Sequence, residues 1–245
     1  MARSRGREQK RENPWERIQR SPMAGAYLAE LFWLARDAVE SCERIFDAAQ
    51  PPPDATASYI KVDHRLQADI YHVLNSAARI RALIKDRPRR QQSAAQYAIQ
   101  ASRTGWLGKA LQGLTLTEVL HARVRNTLEH FDEYLDKVAL RFSTAYPGGT
   151  VLLPLDMTLG REGTLDQFTR GGSVYPLRIY LAEERLFVNC GERIDLGKIA
   201  DECRAILDRL TTLAPHLAAE EGATAQERGS SMIVLTEQSF DQGAG

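Results

Sequence analysis

Only three cysteines occur in the 245 residues, Cys42, Cys190 and Cys203, at wide spacings and with no Cys-x-x-Cys pair. An odd number so placed argues against a disulfide framework and against a cysteine-based zinc site. Cys42 and Cys203 instead fall within apolar periodic patterns, as small core residues do. Net charge is also missing, because 32 basic residues cancel 32 acidic ones, and no global field steers the chain to nucleic acid. No apolar run approaches the roughly 20 residues that span a bilayer, and the charged start contains no uninterrupted apolar segment of the secretory kind. A cytoplasmic protein with no membrane partner is expected. Gly148-Gly149 and Gly171-Gly172 lack the strand-to-helix setting of a phosphate loop and read as turns. His64, His72 and His121 lack metal-ligand spacing with carboxylates, so neither a metal nor a cofactor is expected. Trp15, Trp33 and Trp106 read as packing anchors rather than as a base-stacking platform.

What is present is an apolar content of 43%, enough for one good core with a small satellite. Charge is uneven along the chain. Residues 1–20 carry seven Lys/Arg against three acids, whereas the tail from His216 carries five acids against Arg228. Residues 1–20 read as a charged flexible segment, and 216–245, rich in Gly, Ser, Glu and Gln, as a disordered tail.

Between these ends the chain is written mostly in helical period. Ser21-Pro22 is a start signal, and Leu28, Leu31, Ala35, Val39, Cys42 and Phe46 follow at spacings of three and four until Pro51-Pro52-Pro53. Leu66, Ile70, Val73, Ala77, Ile80 and Ile84 repeat the pattern until Arg87-Pro88. A third, weaker helix is predicted from about Gln92 to Leu111, interrupted near Gly105 and Gly108. Thr115 and Glu118 then have the spacing of a capping box, which predicts a fourth helix with the stripe Val124, Leu128, Phe131, Leu135, Val138 and Phe142, ending before Tyr146-Pro147. Four such helices with short connections suit an antiparallel bundle over residues 21–145.

Beyond Gly149 the period shortens. Val151 to Leu155, Leu177 to Leu181 and Arg185 to Cys190 are strand-like, with Glu183-Glu184 as a hairpin turn and Leu186, Val188 and Cys190 on one side. Asp195 caps a final helix with Leu196, Ile199, Cys203, Ile206 and Leu210 inward. Residues 146–215 are thus expected as a small β-hairpin and a helix appended to a mainly α fold.

The fourth predicted helix carries the chemistry. At roughly 100° per residue, Asn126, His130, Glu133 and Lys137 form a polar ridge opposite the apolar stripe, with Asn126 one turn before His130. Arg125 reaches that ridge through its long stem. The sequence Arg125-Asn126 to His130, an arginine and a histidine with four residues between them and a polar residue directly after the arginine, on a late helix of a bundle, resembles the signature of the HEPN superfamily over about residues 23–143.

That resemblance implies a HEPN-like four-helix bundle and homodimers in which two motifs meet. It implies either a metal-independent endoribonuclease of toxin-antitoxin or phage-defence type or a non-catalytic protein that binds RNA, an antitoxin or another protein. In the first case His130 moves protons at the 2′-hydroxyl or the 5′-oxygen, Arg125 neutralises the phosphate, and Asn126 orients the ring or holds the phosphate. The bland alternative is a solvated helix face in which Arg125 pairs with Glu129 and His130 with Glu133 or Tyr134. Glu129 and Asp132 also stand beside the phosphate site. A second basic group, Arg79, Arg81, Lys85, Arg89 and Arg90 with Arg87, suits either a phosphate backbone or a solvated helix end.

Overall fold

A computed structural model describes residues 22–50, 60–85, 92–121, 123, 124, 126, 130–145, 151–153, 157–170, 174–215 and 217. The expected charged segment, Pro51-Pro52-Pro53, Tyr146 to Gly149 and nearly all of the expected tail lie outside them.

Helix α1 spans Pro22–Ala48 and buries Leu28, Leu31, Ala35, Ala38, Cys42 and Ile45 on one stripe. Helix α2, His64–Ile84, starts at Asp63, whose side chain accepts from the Arg65 N–H at 3.0 Å, and it buries the predicted Leu66, Ile70, Val73, Ala77 and Ile80. Helix α3, Ala94–Ala110, opens on a reciprocal cap: Ser93 Oγ accepts from the Gln96 N–H, and Gln96 Oε1 accepts from the Ser93 N–H. It runs unbroken through Gly105 and Gly108, contrary to the expected interruption. Buried Leu107 and Ala110 fasten its last turns to the core, which outweighs the weak propensity of two glycines.

Among the described residues α1, α2 and α3 share the main core with Val124 of the predicted fourth helix and with a helix expected only as an appendage. The latter is the C-terminal helix, Leu196–Leu213, whose buried Ile199, Cys203, Ile206 and Leu210 join those of α1 and α2. The segment 114–121 is not helical, whereas Arg123, Val124 and Asn126 are, and helix α4 spans Phe131–Ala145. The expected capping box loses to tertiary partners. Glu118 accepts from Arg123 Nη2 at 2.6 and 2.5 Å and from the Asp195 N–H at 3.2 Å. The N–H groups of Thr117, Glu118 and Val119 meanwhile donate to Glu202 on the C-terminal helix. A buried carboxylate that takes three backbone donors at once replaces a helix turn with an anchored loop.

The predicted stripe is accordingly divided. Val124 is buried in the main core, whereas Phe131, Leu135 and Val138 pack with Tyr134, Leu177 and Cys190 in a separate cluster. Leu128 and the Phe142 side chain lie outside the described residues.

The β element is also larger than a hairpin. Strands β1 (Ile60–Val62), β3 (Met157–Leu159), β5 (Arg178–Leu181), β6 (Leu186–Asn189) and β7 (Glu192–Asp195) form a mixed sheet in the order β1-β3-β5-β6-β7. Strands β3 and β5 are parallel and the other neighbours antiparallel. Strands β2 (Val151–Leu153) and β4 (Val174–Pro176) pair separately and in parallel. The turn over Glu183-Glu184 stands as predicted, with Arg185 at φ 52°. Tyr180, Phe187 and Ile194 lie in register across one face and enter the helical core. On the other face Met157, Leu159, Ile179, Leu181 and Val188 pack with Leu165 of the short helix α5, Glu162–Thr169. The C-terminal helix is therefore α6, and the sheet lies between the helices and α5. Both faces of β6 are buried, so the one-sided alternation expected of Leu186, Val188 and Cys190 describes only half of that strand.

Asp195 caps α6 as predicted, accepting from the Lys198 N–H at 2.8 Å. Asp195→Ala is expected to cost about 1 kcal/mol, read as a lower urea midpoint at unchanged slope.

Candidate functional site

The motif sits on the approach to α4. Arg123, Val124 and Asn126 are helical and His130 occupies a turn; Arg125 lies outside the described residues. The His130 N–H donates to the Asn126 carbonyl at 3.0 Å, and the Tyr134 N–H donates to the His130 carbonyl at 3.1 Å. The one-turn relation of Asn126 and His130 is thus made by the backbone. The imidazole Nδ1 lies 3.0 Å from Glu133 Oε1, with the histidine side chain 46% exposed. The pairing of His130 with Glu133 was legible from the spacing of three. It holds the ring by one nitrogen and leaves the other for a further partner.

Below this exposed edge α4 turns aromatic residues to the body of the protein. Lys137 Nζ stands 5.0 Å from the centre of the Tyr134 ring. Burial first, and then the Glu192 charge, hold the Tyr134 phenol above its ordinary pKa, so it stays protonated at neutral pH. Arg178, the first residue of β5, lies between two rings, 5.5 Å from the centre of Tyr71 on α2 and 5.2 Å from that of Phe131. Its Nη1 donates to Tyr71 Oη. The hydropathy pattern gave one faint sign of this arginine, a lone charge inside the apolar run from Leu177 to Leu181.

The basic group at the end of α2 is less open than its sequence implies. Arg79 pairs with Glu30 at 2.6 Å. Arg81 is buried, and its Nε donates to the Leu120 carbonyl at 2.9 Å; Lys85 Nζ donates to the same oxygen at 3.0 Å. Arg89 and Arg90 lie outside the described residues. Arg81 and Lys85 therefore fasten the segment that leads into the motif.

Other chemistries find little support. Among the described residues no group of His, Cys, Asp and Glu could hold a metal ion, and no helix is long and apolar enough to cross a membrane. Desolvation pushes the Cys42 thiol up to about 12 and raises those of Cys203 and Cys190, so none is a thiolate nucleophile at neutral pH. In the native protein all three are expected to resist a water-soluble maleimide at pH 7.5, and to react fully in 8 M urea; fast native labelling would show that the burial is wrong.

No family model, curated protein or solved structure matches the chain.

Proposed function

We propose that this protein is a metal-independent endoribonuclease of HEPN type, with His130 as its proton-transfer group. The observation that supports it best is the half-exposed imidazole one turn after Asn126, since its contact with Glu133 fits a solvated helix face equally. Nε2 takes the proton of a ribose 2′-hydroxyl as that oxygen attacks the adjacent phosphorus. The bond from phosphorus to the 5′-oxygen breaks, and the 5′-oxygen takes a proton from water while the imidazolium returns its own to the solvent. Products are a 2′,3′-cyclic phosphate and a 5′-hydroxyl. Arg125 neutralises the phosphoryl oxygens, and Asn126 holds the ring or the phosphate. The need for a 2′-hydroxyl restricts the substrate to RNA. Two copies meeting through the motif region form the working homodimer, in a toxin-antitoxin or defence role.

A second reading, a non-catalytic interaction protein, draws on the acids Asp132 and Glu133 in the first turn of α4 and on Leu140, an exposed apolar residue of the same helix. Two experiments separate the readings. Purified protein incubated with mixed cellular RNA in EDTA is expected to yield cyclic phosphate ends and to leave DNA intact. Expression is expected to be toxic and His130→Ala to relieve the toxicity, whereas stable overproduction of an inactive dimer would favour the second reading.

A further inference from the structure

We infer that Arg178 is a positioning residue for the motif, acting on His130 through Phe131. The activity arm of its test rests on the ribonuclease reading; the structural arm does not. Among the described residues, helix α4 meets the body through a small apolar cluster separate from the main core, and that cluster includes its first residue, Phe131. Arg178 supplies a further contact that is polar and reaches two other elements. Its guanidinium lies over the Phe131 ring at 5.2 Å and the Tyr71 ring at 5.5 Å while donating to Tyr71 Oη. One cation thereby ties β5, α2 and the first turn of α4 together. Phe131 directly follows His130, and the Tyr134 N–H bonds the His130 carbonyl, so a displacement of the Phe131 ring moves the imidazole with it.

A second observation marks the same place as built for more than packing. Asn189 stands opposite Arg178 in the ladder, on the face that Tyr180 and Phe187 share. Its side chain is buried, and among the described residues neither amide atom has a hydrogen-bond partner. The next residue, Cys190, is left-handed at φ 49° and packs against Val138 of α4, with Gly191 at φ 89° completing the turn. An unpaired buried amide and a non-glycine left-handed residue both cost free energy, and such costs concentrate where geometry serves function. An apolar side chain at position 189 would satisfy packing alone.

The test uses the full chain labelled with ¹⁵N-histidine, in wild type, Arg178→Lys, Tyr71→Phe, Phe131→Leu and the remote control Arg204→Ala. His130→Ala assigns the His130 imidazole signals. Arg178→Lys and Tyr71→Phe are expected to shift those signals and to lower kcat for RNA cleavage by about tenfold, with KM changed less than about twofold. Arg204→Ala is expected to do neither. Tyr71→Phe removes one oxygen atom, so it carries the test if Arg178→Lys fails to fold. Unmoved His130 signals in the folded Arg178, Tyr71 and Phe131 variants would overturn the inference. Moved signals in a protein that cleaves no RNA would uphold the positioning and remove the ribonuclease reading.

Discussion

Glu202→Ala is expected to lower the unfolding free energy by about 3–5 kcal/mol, the usual cost of stripping one partner from a buried charged network. The Glu202 carboxylate, on a residue 6% exposed, accepts from the Thr117 N–H and hydroxyl, both its oxygens accept from the Glu118 N–H, and Oε2 accepts from the Val119 N–H at 2.8 Å. Alanine leaves all of these donors without their acceptor, two of them on the buried residues Glu118 and Val119. Those two lie away from water, whereas Thr117 is exposed. Melting should fall by about 10 °C, given roughly 2–4 °C per kcal/mol for a chain of this size. Glu202→Gln keeps one good acceptor but turns an NH2 group toward backbone donors, so its loss should be intermediate. Urea unfolding with parallel slopes would measure both, and a loss under about 1 kcal/mol for the alanine variant would mean that the loop is held by something else.

His130→Ala is expected to reduce RNA cleavage by about 10²- to 10⁴-fold, the range a positioned general acid or base supplies. Because the ring is half exposed and its pairing with Glu133 lies at the surface, melting should stay close to wild type. That combination separates a chemical role from a structural one. A His130→Ala protein that melts early and loses activity in proportion would point to a helix start that has come apart rather than to a missing proton carrier. Arg125→Ala should resemble it in activity, since the guanidinium is assigned to charge that develops on the phosphate as the reaction proceeds.

The parts of this fold that were readable share one property: each keeps a single period over several turns. Nearly every residue that the stripes of α1, α2 and α6 put inward is buried, Phe46 and Ile84 only partly, and Asp195 marked the start of α6 because its cap is local. Segment 115–121 misled for the opposite reason. Thr115 and Glu118 have capping-box spacing, but Glu202, distant in sequence, collects the N–H groups that the box would have organised, and no local pattern announces it. The sheet was underestimated because its strands are three or four residues long and β1, set between α1 and α2, pairs with β3 far along the chain. Of the candidate site, Asn126, His130 and Glu133 were legible from helical spacing. Arg178, Tyr71 and Asn189 were not, since they meet only through the packing of α2 and α4 on the sheet. The arginine run on α2 was misleading in a similar way: Arg81 reads as a surface charge, yet it is buried against the Leu120 carbonyl.

The most direct measurement is cleavage of mixed cellular RNA in EDTA by equal amounts of wild type, Arg125→Ala and His130→Ala, with the new ends identified. Expected is cleavage by wild type to 2′,3′-cyclic phosphate and 5′-hydroxyl ends that both substitutions abolish. Equal inactivity of all three folded proteins, or equal activity of wild type and His130→Ala, would contradict the assignment of His130 as the proton carrier of a ribonuclease.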